Sequence, residues 1–334
     1  MISIKVADVS EVAEARRRAA QMAELSGFSA TDTGRVSLVA TELATNIIKH
    51  GGGGEMLVGS YEEPSGSGIQ LIALDKGRGI SDLKASLADG YSSVGTAGNG
   101  LGAVFRQSHS VDVASWPGLG TAILARLEQG TPPKHKNPRS STWGAVGVPK
   151  PGEEVCGDSW SLADTESTRT LIVADGLGHG PDASDAAVQA IRVFHRHKDH
   201  QLATLLDYIH GGLRATRGAA VSIARIDRVN ERVTFAGLGN VAGVIVAADG
   251  TTKNMVPMAG TAGHNARKIN AFDYPFSGGL VILYSDGLSS SWSLNRYAGI
   301  ARMHPTLIAA VLYRDYARRN DDATVLVSSG AVSQ

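Results

Sequence analysis

The chain has one cysteine in 334 residues, no excess of charge of either sign, and no long uncharged apolar run. The lone thiol, Cys156, excludes an internal disulfide framework and a multi-cysteine zinc site, and fits a reducing compartment. Lys and Arg together number 32 against 32 Asp and Glu, so no global field draws the chain to nucleic acid or to an anionic membrane. A protein or small-molecule partner is expected instead. No apolar stretch approaches the roughly eighteen residues of a membrane helix, and the opening MISIKVADVSEVAEARRRAA carries acids and arginines where a signal peptide is apolar. The expectation is a soluble, cytoplasmic protein with no nucleic-acid or membrane partner.

A chain of 334 residues is long for one hydrophobic core, and two domains are expected. Between Gln129 and Thr142, QGTPPKHKNPRSST holds three prolines and four basic residues and has almost nothing to bury, which reads as an exposed linker. The division expected is therefore 1–128, a linker at 129–142, and 143–334. Upstream, helical periodicity covers Val9 to Ser26 and Thr33 to about His50, the second after the capping-type sequence SATDTG. Strands are expected at EMLVGSY, IQLIALD and TAILARL. Downstream they are expected at Thr170–Ala174, Ala219–Ile226, Arg232–Ala236, Ala242–Ala247, Leu280–Tyr284 and Ala323–Val327. Helical stretches near Ala183–His197, Gln201–Ala215 and Pro305–Arg318 interrupt them. Strands and helices that arrive in runs predict α+β architecture in two sandwiches, not a doubly wound parallel sheet.

In LVATELATNIIKHGGGG, Glu42 and Asn46 are four residues apart on a helical run, hence on one face and about 6 Å apart along the axis. Leu38, Leu43 and Ile47 are expected on the opposing, buried side. An acid and an amide aimed into a cleft can orient a hydroxyl and hold a divalent cation, since Mg²⁺ takes few protein oxygens; the pair alone also fits a solvated polar face. ALDKGRGI ends a strand on Asp75 and follows it with Gly77 and Gly79. GTAGNGLGAV places Gly98, Gly100 and Gly102 ahead of a helical run beginning near Ala103, where free amides and the helix dipole favour phosphate.

This ordered set, with GLGTAI after it, resembles the GHKL (Bergerat-fold) ATPase superfamily, in the small serine-kinase branch of anti-sigma and switch kinases. The resemblance covers residues 1 to about 128 and implies an α/β sandwich. It implies that Glu42 activates the attacking hydroxyl, Asn46 binds Mg²⁺ and Asp75 reads adenine. Gly77, Gly79, Gly98, Gly100 and Gly102 would shape the ATP pocket and lid, with Thr121 beside Asp75. The phosphoryl acceptor implied is a serine or threonine of a separate STAS-domain protein.

In the second half, TLIVADGLGHG ends an apolar strand on Asp175. Any single strand–Asp–Gly ending fits a turn. EEVCGDSWSL, VILYSDGL and RRNDDATVLV add Asp158, Asp286, Asp321 and Asp322, all at strand edges and far apart in sequence. Scattered carboxylates of this kind suit hard cations such as Mg²⁺ and Mn²⁺. The segment from Trp143 to Val327 resembles the metal-dependent PPM-type serine/threonine phosphatases, in their SpoIIE and RsbX-like branch, and implies an α-β-β-α sandwich. By that resemblance Asp175 bridges two metal ions, the Gly176 carbonyl contributes through water, and Asp158, Asp286 and Asp321 complete the cage, with Asp322 behind them. AGLGNVAGV stands where many relatives carry Asn-Ala-Gly-His. His179 reads as a solvated or capping residue, Asp182 and Asp185 as acids favoured at a helix N-terminus, and Cys156, without a His and Asn signature, not as a nucleophile.

Together the two resemblances imply a bifunctional partner-switching regulator, a kinase and a phosphatase on one chain. ATP, Mg²⁺ and Mn²⁺ are its cofactors, and an antagonist or stressosome protein of the STAS type is its substrate, with a sigma factor as a further candidate partner. The alternative is a non-catalytic ATP-sensing or sigma-factor-binding N-terminal module that regulates the phosphatase.

Overall fold

A computed structural model describes residues 1–80, 100–133, 141–266 and 268–330. It falls into two compact units, Met1–Ser140 with Tyr297–Met303, and Ser141–Arg296 with His304–Gln334. No helix among the described residues is long and apolar enough to cross a membrane.

The first unit is an α/β sandwich. Helix α1 (Val9–Leu25) is opened by a capping box in which Asp8 accepts from the backbone of Ser10 and Glu11 reaches back to the Asp8 amide. Its buried residues are Ala15, Ala19 and Ala23; four-residue spacing puts these small side chains on one face and lets the helix approach its neighbours closely. Helix α2 (Ala30–Gly51) starts at Ser29, whose hydroxyl accepts the Asp32 amide at 3.1 Å, and ends on Gly52 in the left-handed region at φ 68°. Val36, Val39, Ala40, Leu43, Ala44 and Ile47 form its buried stripe.

Beneath these helices lies an antiparallel sheet of β1 (Ile2–Val6), β2 (Gly54–Glu63), β3 (Gly66–Asp75), β4 (Ser110–Trp116) and β5 (Gly120–Leu127), in the order β1-β2-β3-β5-β4. Strand β1 alternates, Ile2, Ile4 and Val6 against Ser3 and Lys5, but at five residues it is short, and in β4 the apolar residues change parity from Val111 and Val113 to Ala114 and Trp116, which hides the period. Helix α3 runs from Gly100 to Gln107.

Leu38 departs from expectation: it is 41% exposed. It precedes Glu42 by four residues, and that spacing places it on the Glu42 face of α2 instead of the buried face of Leu43 and Ile47.

The second unit stacks two antiparallel sheets between helices. One sheet has the order β15-β10-β9-β8-β7, from β7 (Asp158–Asp164), β8 (Thr168–Gly176), β9 (Ala219–Asp227), β10 (Arg232–Leu238) and β15 (Phe272–Pro275). The other has the order β12-β11-β16-β17-β6, from β6 (Trp143–Val148), β11 (Ala242–Val246), β12 (Thr252–Met255), β16 (Leu280–Tyr284) and β17 (Ala323–Ser329). A small ribbon joins β13 (Gly260–Thr261) and β14 (Asn265–Ala266). Helices α4 (Pro181–His197) and α5 (Leu202–Gly212) cover the first sheet, and α6 (Pro305–Tyr316) packs on β6 and β17.

Strand β8 shows how alternation builds the layers. Leu171 and Val173 enter the core between the sheets, with Phe235, Val281 and Leu326, while Ile172 and Ala174 face the helices with Ala187, Phe194 and Leu206. Both faces are buried, so β8 reads as a continuous apolar run. Phe235 is fully buried between the sheets; Phe235→Ala is expected to lower unfolding stability by about 3–5 kcal/mol, measured by denaturant titration of the purified protein.

Of the expected linker, residues 134–140 lie outside the described residues; Gln129–Thr131 are exposed, whereas the last residue, Thr142, is not. Thr142 is buried because Arg169, itself buried, donates from Nη1 to the Thr142 carbonyl at 3.1 Å and hydroxyl at 2.8 Å.

Candidate functional site

In the first unit, one helix organises the candidate nucleotide residues. Glu42 and Asn46 project from the middle of α2, and α3 meets them there: a Cβ on Gly100 would lie 3.0 Å from Glu42 Oε2 and 3.5 Å from Asn46 Oδ1. A Cβ there would crowd the Glu42 carboxylate and rest in ordinary contact with Asn46, so glycine at this position lets the first turn of α3 close on the pair. The helix begins at Gly100, earlier than the Ala103 expected from the sequence, and Gly100 and Gly102 therefore lie inside its first turn. Gly98 lies outside the described residues.

Five residues beyond Asn46, α2 ends against Asp75; a Cβ on Gly51 would sit 2.4 Å from the Asp75 Cβ. Asp75 Oδ1 accepts the Gly77 amide at 2.8 Å and the Thr121 amide at 3.2 Å, which sets the carboxylate at the junction of β3 and β5. Gly79 turns the chain at φ +74°. Ser115, which no motif singles out, joins these parts: its hydroxyl accepts the Ile80 amide at 2.8 Å and lies 2.9 Å from the Thr121 hydroxyl. The structure thus gathers Glu42, Asn46 and Gly100 in one cluster and Asp75, Gly77 and Thr121 in another, both along α2.

In the second unit the acids converge at one end of the space between the sheets. Asp158 begins β7 and Asp175 lies near the end of β8, and the two are directly opposed in the antiparallel register. Alternation puts Asp175 on the same face as Leu171 and Val173, toward the other sheet. Asp286 follows β16 there, and Asp321 and Asp322 precede β17.

Ser285 ties the sheets together: its hydroxyl donates to Asp158 Oδ2 at 2.6 Å and accepts the Thr324 amide at 2.9 Å. Asn240 donates to Asp286 Oδ2 at 2.5 Å. Asp322 is buried, and its Oδ1 accepts the Lys150 amide at 2.9 Å. Gly176 carries no side chain because a Cβ would lie 1.9 Å from the Ala183 carbonyl oxygen in the first turn of α4. Ser285→Ala strands a buried amide and an inward carboxylate, and is expected to cost about 1–3 kcal/mol of stability, read from the denaturation midpoint.

Charge accumulates in this pocket. Burial raises Asp175 far above the ordinary carboxylate range, and Asp158, Asp286, Asp321 and Asp322 raise it further. Asp158 is raised by burial, an effect that the Ser285 hydrogen bond opposes and Asp322 reinforces. Asp286 is raised by burial and by Asp321, while Arg318 and Asn240 act the other way.

Asp158 Oδ1 and the Thr324 hydroxyl are buried and neither meets hydrogen-bond geometry, although Thr324 favours the ionised form of Asp158. Among the described residues, no three carboxylate, imidazole or thiol groups already close around a common point as a finished metal cage would. What is present is an all-oxygen donor set with one buried, unpartnered carboxylate oxygen, which suits a hard divalent cation.

Around the rim, His179 Nδ1 pairs with Glu153 at 2.7 Å, and Asp182, in the first turn of α4, pairs with Arg217 at 2.5 Å. The Cys156 thiol is pushed up by burial and then by Asp158 and Asp322; this holds it protonated and unsuited to nucleophilic attack.

Residues 6–127 match the family model of the histidine kinase-like ATPase domain, and residues 165–329 match that of stage II sporulation protein E. Over 115 residues, 34% of this chain and 86% of the relative, the chain is 32% identical to the serine/threonine-protein kinase RsbT of Bacillus subtilis (strain 168). In its first half the chain belongs to the histidine kinase-like ATPase family, and its second half matches the SpoIIE family model.

Over 141 residues, 42% of this chain and 71% of the relative, it is 23% identical to the phosphoserine phosphatase RsbX of the same organism. A chain from the structure described as "The bacterial stressosome: a modular system that has been adapted to control secondary messenger signaling" aligns at TM-score 0.53 and 29% identity, covering 56% of this chain and 98% of that one. The crystal structure of RsbX in complex with magnesium aligns at TM-score 0.50 and 20% identity, over 55% of this chain and 92% of that one, which shows a shared fold. Ser285, Asn240 and Ser115, which steady the two clusters, were not picked out in the sequence. Their only signal is adjacency to Asp286, to Gly239 and to the β4–β5 hairpin.

Proposed function

We propose that this chain is a bifunctional partner-switching regulator. Its N-terminal half would be an ATP-dependent protein serine/threonine kinase, and its C-terminal half a Mn²⁺- or Mg²⁺-dependent phosphoserine/phosphothreonine protein phosphatase. STAS-domain proteins of the anti-anti-sigma or stressosome kind would be the substrates, and the division at a linker near residues 129–142 would let each half act on them. The observation that carries the phosphatase reading is the converging set of buried carboxylates with an unpartnered oxygen on Asp158. For the kinase it is the meeting of Glu42, Asn46 and Gly100.

In the C-terminal half, Asp158, Asp175, the Gly176 carbonyl, Asp286 and Asp321 would hold the cations. Bound there, Mg²⁺ or Mn²⁺ supplies polarisation of phosphoryl oxygens and a lowered pKa for water. The protein contributes orientation: Ser285 fixes Asp158, Asn240 fixes Asp286, and Asp322, held by the Lys150 amide, adds negative charge behind them. Because such supporting contacts tune metal affinity, Ser285→Ala is also expected to raise the Mn²⁺ concentration for half-maximal activity by about ten- to a hundredfold.

In the N-terminal half, Asp75 and Thr121 would sit beside adenine, with Gly77, Gly79, Gly98, Gly100 and Gly102 shaping the phosphate pocket and Asn46 holding Mg²⁺. ATP bound there supplies the transferable phosphoryl group. Glu42 would accept the proton of the incoming serine or threonine hydroxyl while the pocket aligns donor and acceptor.

The deciding experiment incubates the full chain with Mg²⁺-ATP and a STAS-domain protein from the same cell, then adds Mn²⁺ to the phosphorylated product. Phosphoryl transfer followed by Mn²⁺-dependent release is expected. Nucleotide binding with no transfer would favour the sensing or sigma-factor-binding module, and no release would remove the phosphatase.

A further inference from the structure

We propose that Arg217 binds the phosphoryl group of the substrate in the C-terminal site. The inference rests on the phosphatase reading above and adds to it a residue that lies in none of the aspartate motifs. Arg217 stands in the segment between α5 and β9, yet its guanidinium reaches the turn that follows Asp175. A Cβ on Gly178, three residues beyond that aspartate, would lie 3.3 Å from Arg217 Nη1. Gly178 has φ +92°, so the turn offers bare backbone where the guanidinium lies.

The backbone that presents Arg217 is fixed from several sides. Thr216 donates from its hydroxyl to the Leu213 carbonyl at 2.7 Å and accepts the Gly218 amide at 3.0 Å. The Arg217 carbonyl accepts from His264 Nε2 at 2.8 Å. The next residue, Gly218, accepts the Leu177 amide at 3.0 Å, which bonds this segment directly to the strand end that carries Asp175 and Gly176.

The side chain is held but not consumed. Nη2 donates to Asp182 at 2.5 Å, whereas Nη1 makes no hydrogen bond among the described residues. Both partners of the pair are more than half exposed, at 51% and 64%, so the pair is weak and exchangeable. His179, in the same turn, is already paired with Glu153. A phosphomonoester bound over the carboxylate cluster has oxygens that need donors; Nη1 can donate to one while Nη2 stays on Asp182, and exchange of that exposed pair would free the planar fork for a second. Asp182 acts as a positioning residue that aims the fork before the substrate arrives.

The test is calorimetric titration of inorganic phosphate into the Mn²⁺-loaded full chain, wild type against Arg217→Ala and Arg217→Lys. Arg217→Ala is expected to weaken phosphate binding by about tenfold or more, with Mn²⁺ affinity unchanged. Arg217→Lys is expected to recover part of the loss, because it keeps the charge and loses the fork. Equal phosphate affinity in wild type and Arg217→Ala overturns the proposal, as does a loss of Mn²⁺ affinity in parallel with phosphate. Hydrolysis of a phosphorylated STAS protein, run alongside, reports separately on the phosphatase reading: its failure in wild type removes that reading, and the phosphate titration still decides the role of Arg217.

Discussion

Asp175→Asn is expected to reduce Mn²⁺-dependent phosphatase activity by about a thousandfold or more, equivalent to roughly 4 kcal/mol of transition-state stabilisation. The amide is nearly isosteric with the carboxylate, so the strand end and the turn at Gly176 keep their shape while the cluster loses one negative charge at its centre.

The same substitution is expected to have the opposite effect on the metal-free protein. Burial and the neighbouring aspartates raise the pKa of Asp175 in the folded state, whereas an unfolded chain titrates it near about 4. Between those values the folded protein binds more protons than the unfolded one, so stability is greatest below the unfolded pKa and is lost as pH rises toward the folded one. In the presence of a chelator, the wild-type melting temperature should therefore fall from pH 5 to pH 8. The Asp175→Asn profile should be flatter and higher at pH 8. Saturating Mn²⁺ should restore wild type and leave the variant where it was. Retained activity in the variant, or a chelated wild type that gains stability with pH, would contradict the proposed role of the cluster.

Glu42→Gln is expected to lower phosphoryl transfer to a STAS partner by about a hundred- to ten-thousandfold, the range for removal of a positioned general base. Nucleotide affinity should stay within about threefold, because the residue lies with Asn46 and Gly100, apart from Asp75 and Thr121 where adenine would sit. Transfer from labelled ATP and binding of a fluorescent ATP analogue, measured on one preparation, separate the two effects. Gly100→Ala is a demanding companion: its methyl group would meet the same Glu42 oxygen, and it should impair transfer with the base intact. Transfer unchanged in Glu42→Gln would falsify the assignment of the base.

The strands whose apolar residues dominate were legible from composition alone. Leu280–Tyr284 is predicted to the residue, and the end of β8 at Asp175-Gly176 follows from an apolar run meeting a turn former. The edge strand β4 was not, because its apolar residues change face along the strand, Val111 and Val113 against Ala114 and Trp116, and so break the two-residue period. Leu38 shows the limit at a single residue: a leucine in a helical run reads as core, although its four-residue offset from Glu42 puts it on the polar face.

By itself, the amino-acid sequence determined which chemical groups exist and where each lies on its own strand or helix, since period, capping and turn propensity are local. Thus Asp158, Asp175, Asp286 and Asp321 could be named as strand-edge carboxylates before any coordinates. Only the tertiary structure decided that Asp158 faces Asp175 across one sheet, that Ser285 from the other sheet holds it, and that Arg217 reaches the Gly178 turn. Those relations depend on strand register and on the stacking of two sheets. Both are set by burying Leu171, Val173, Phe235, Val281 and Leu326 in one shared core, and no local stretch of chain encodes that burial.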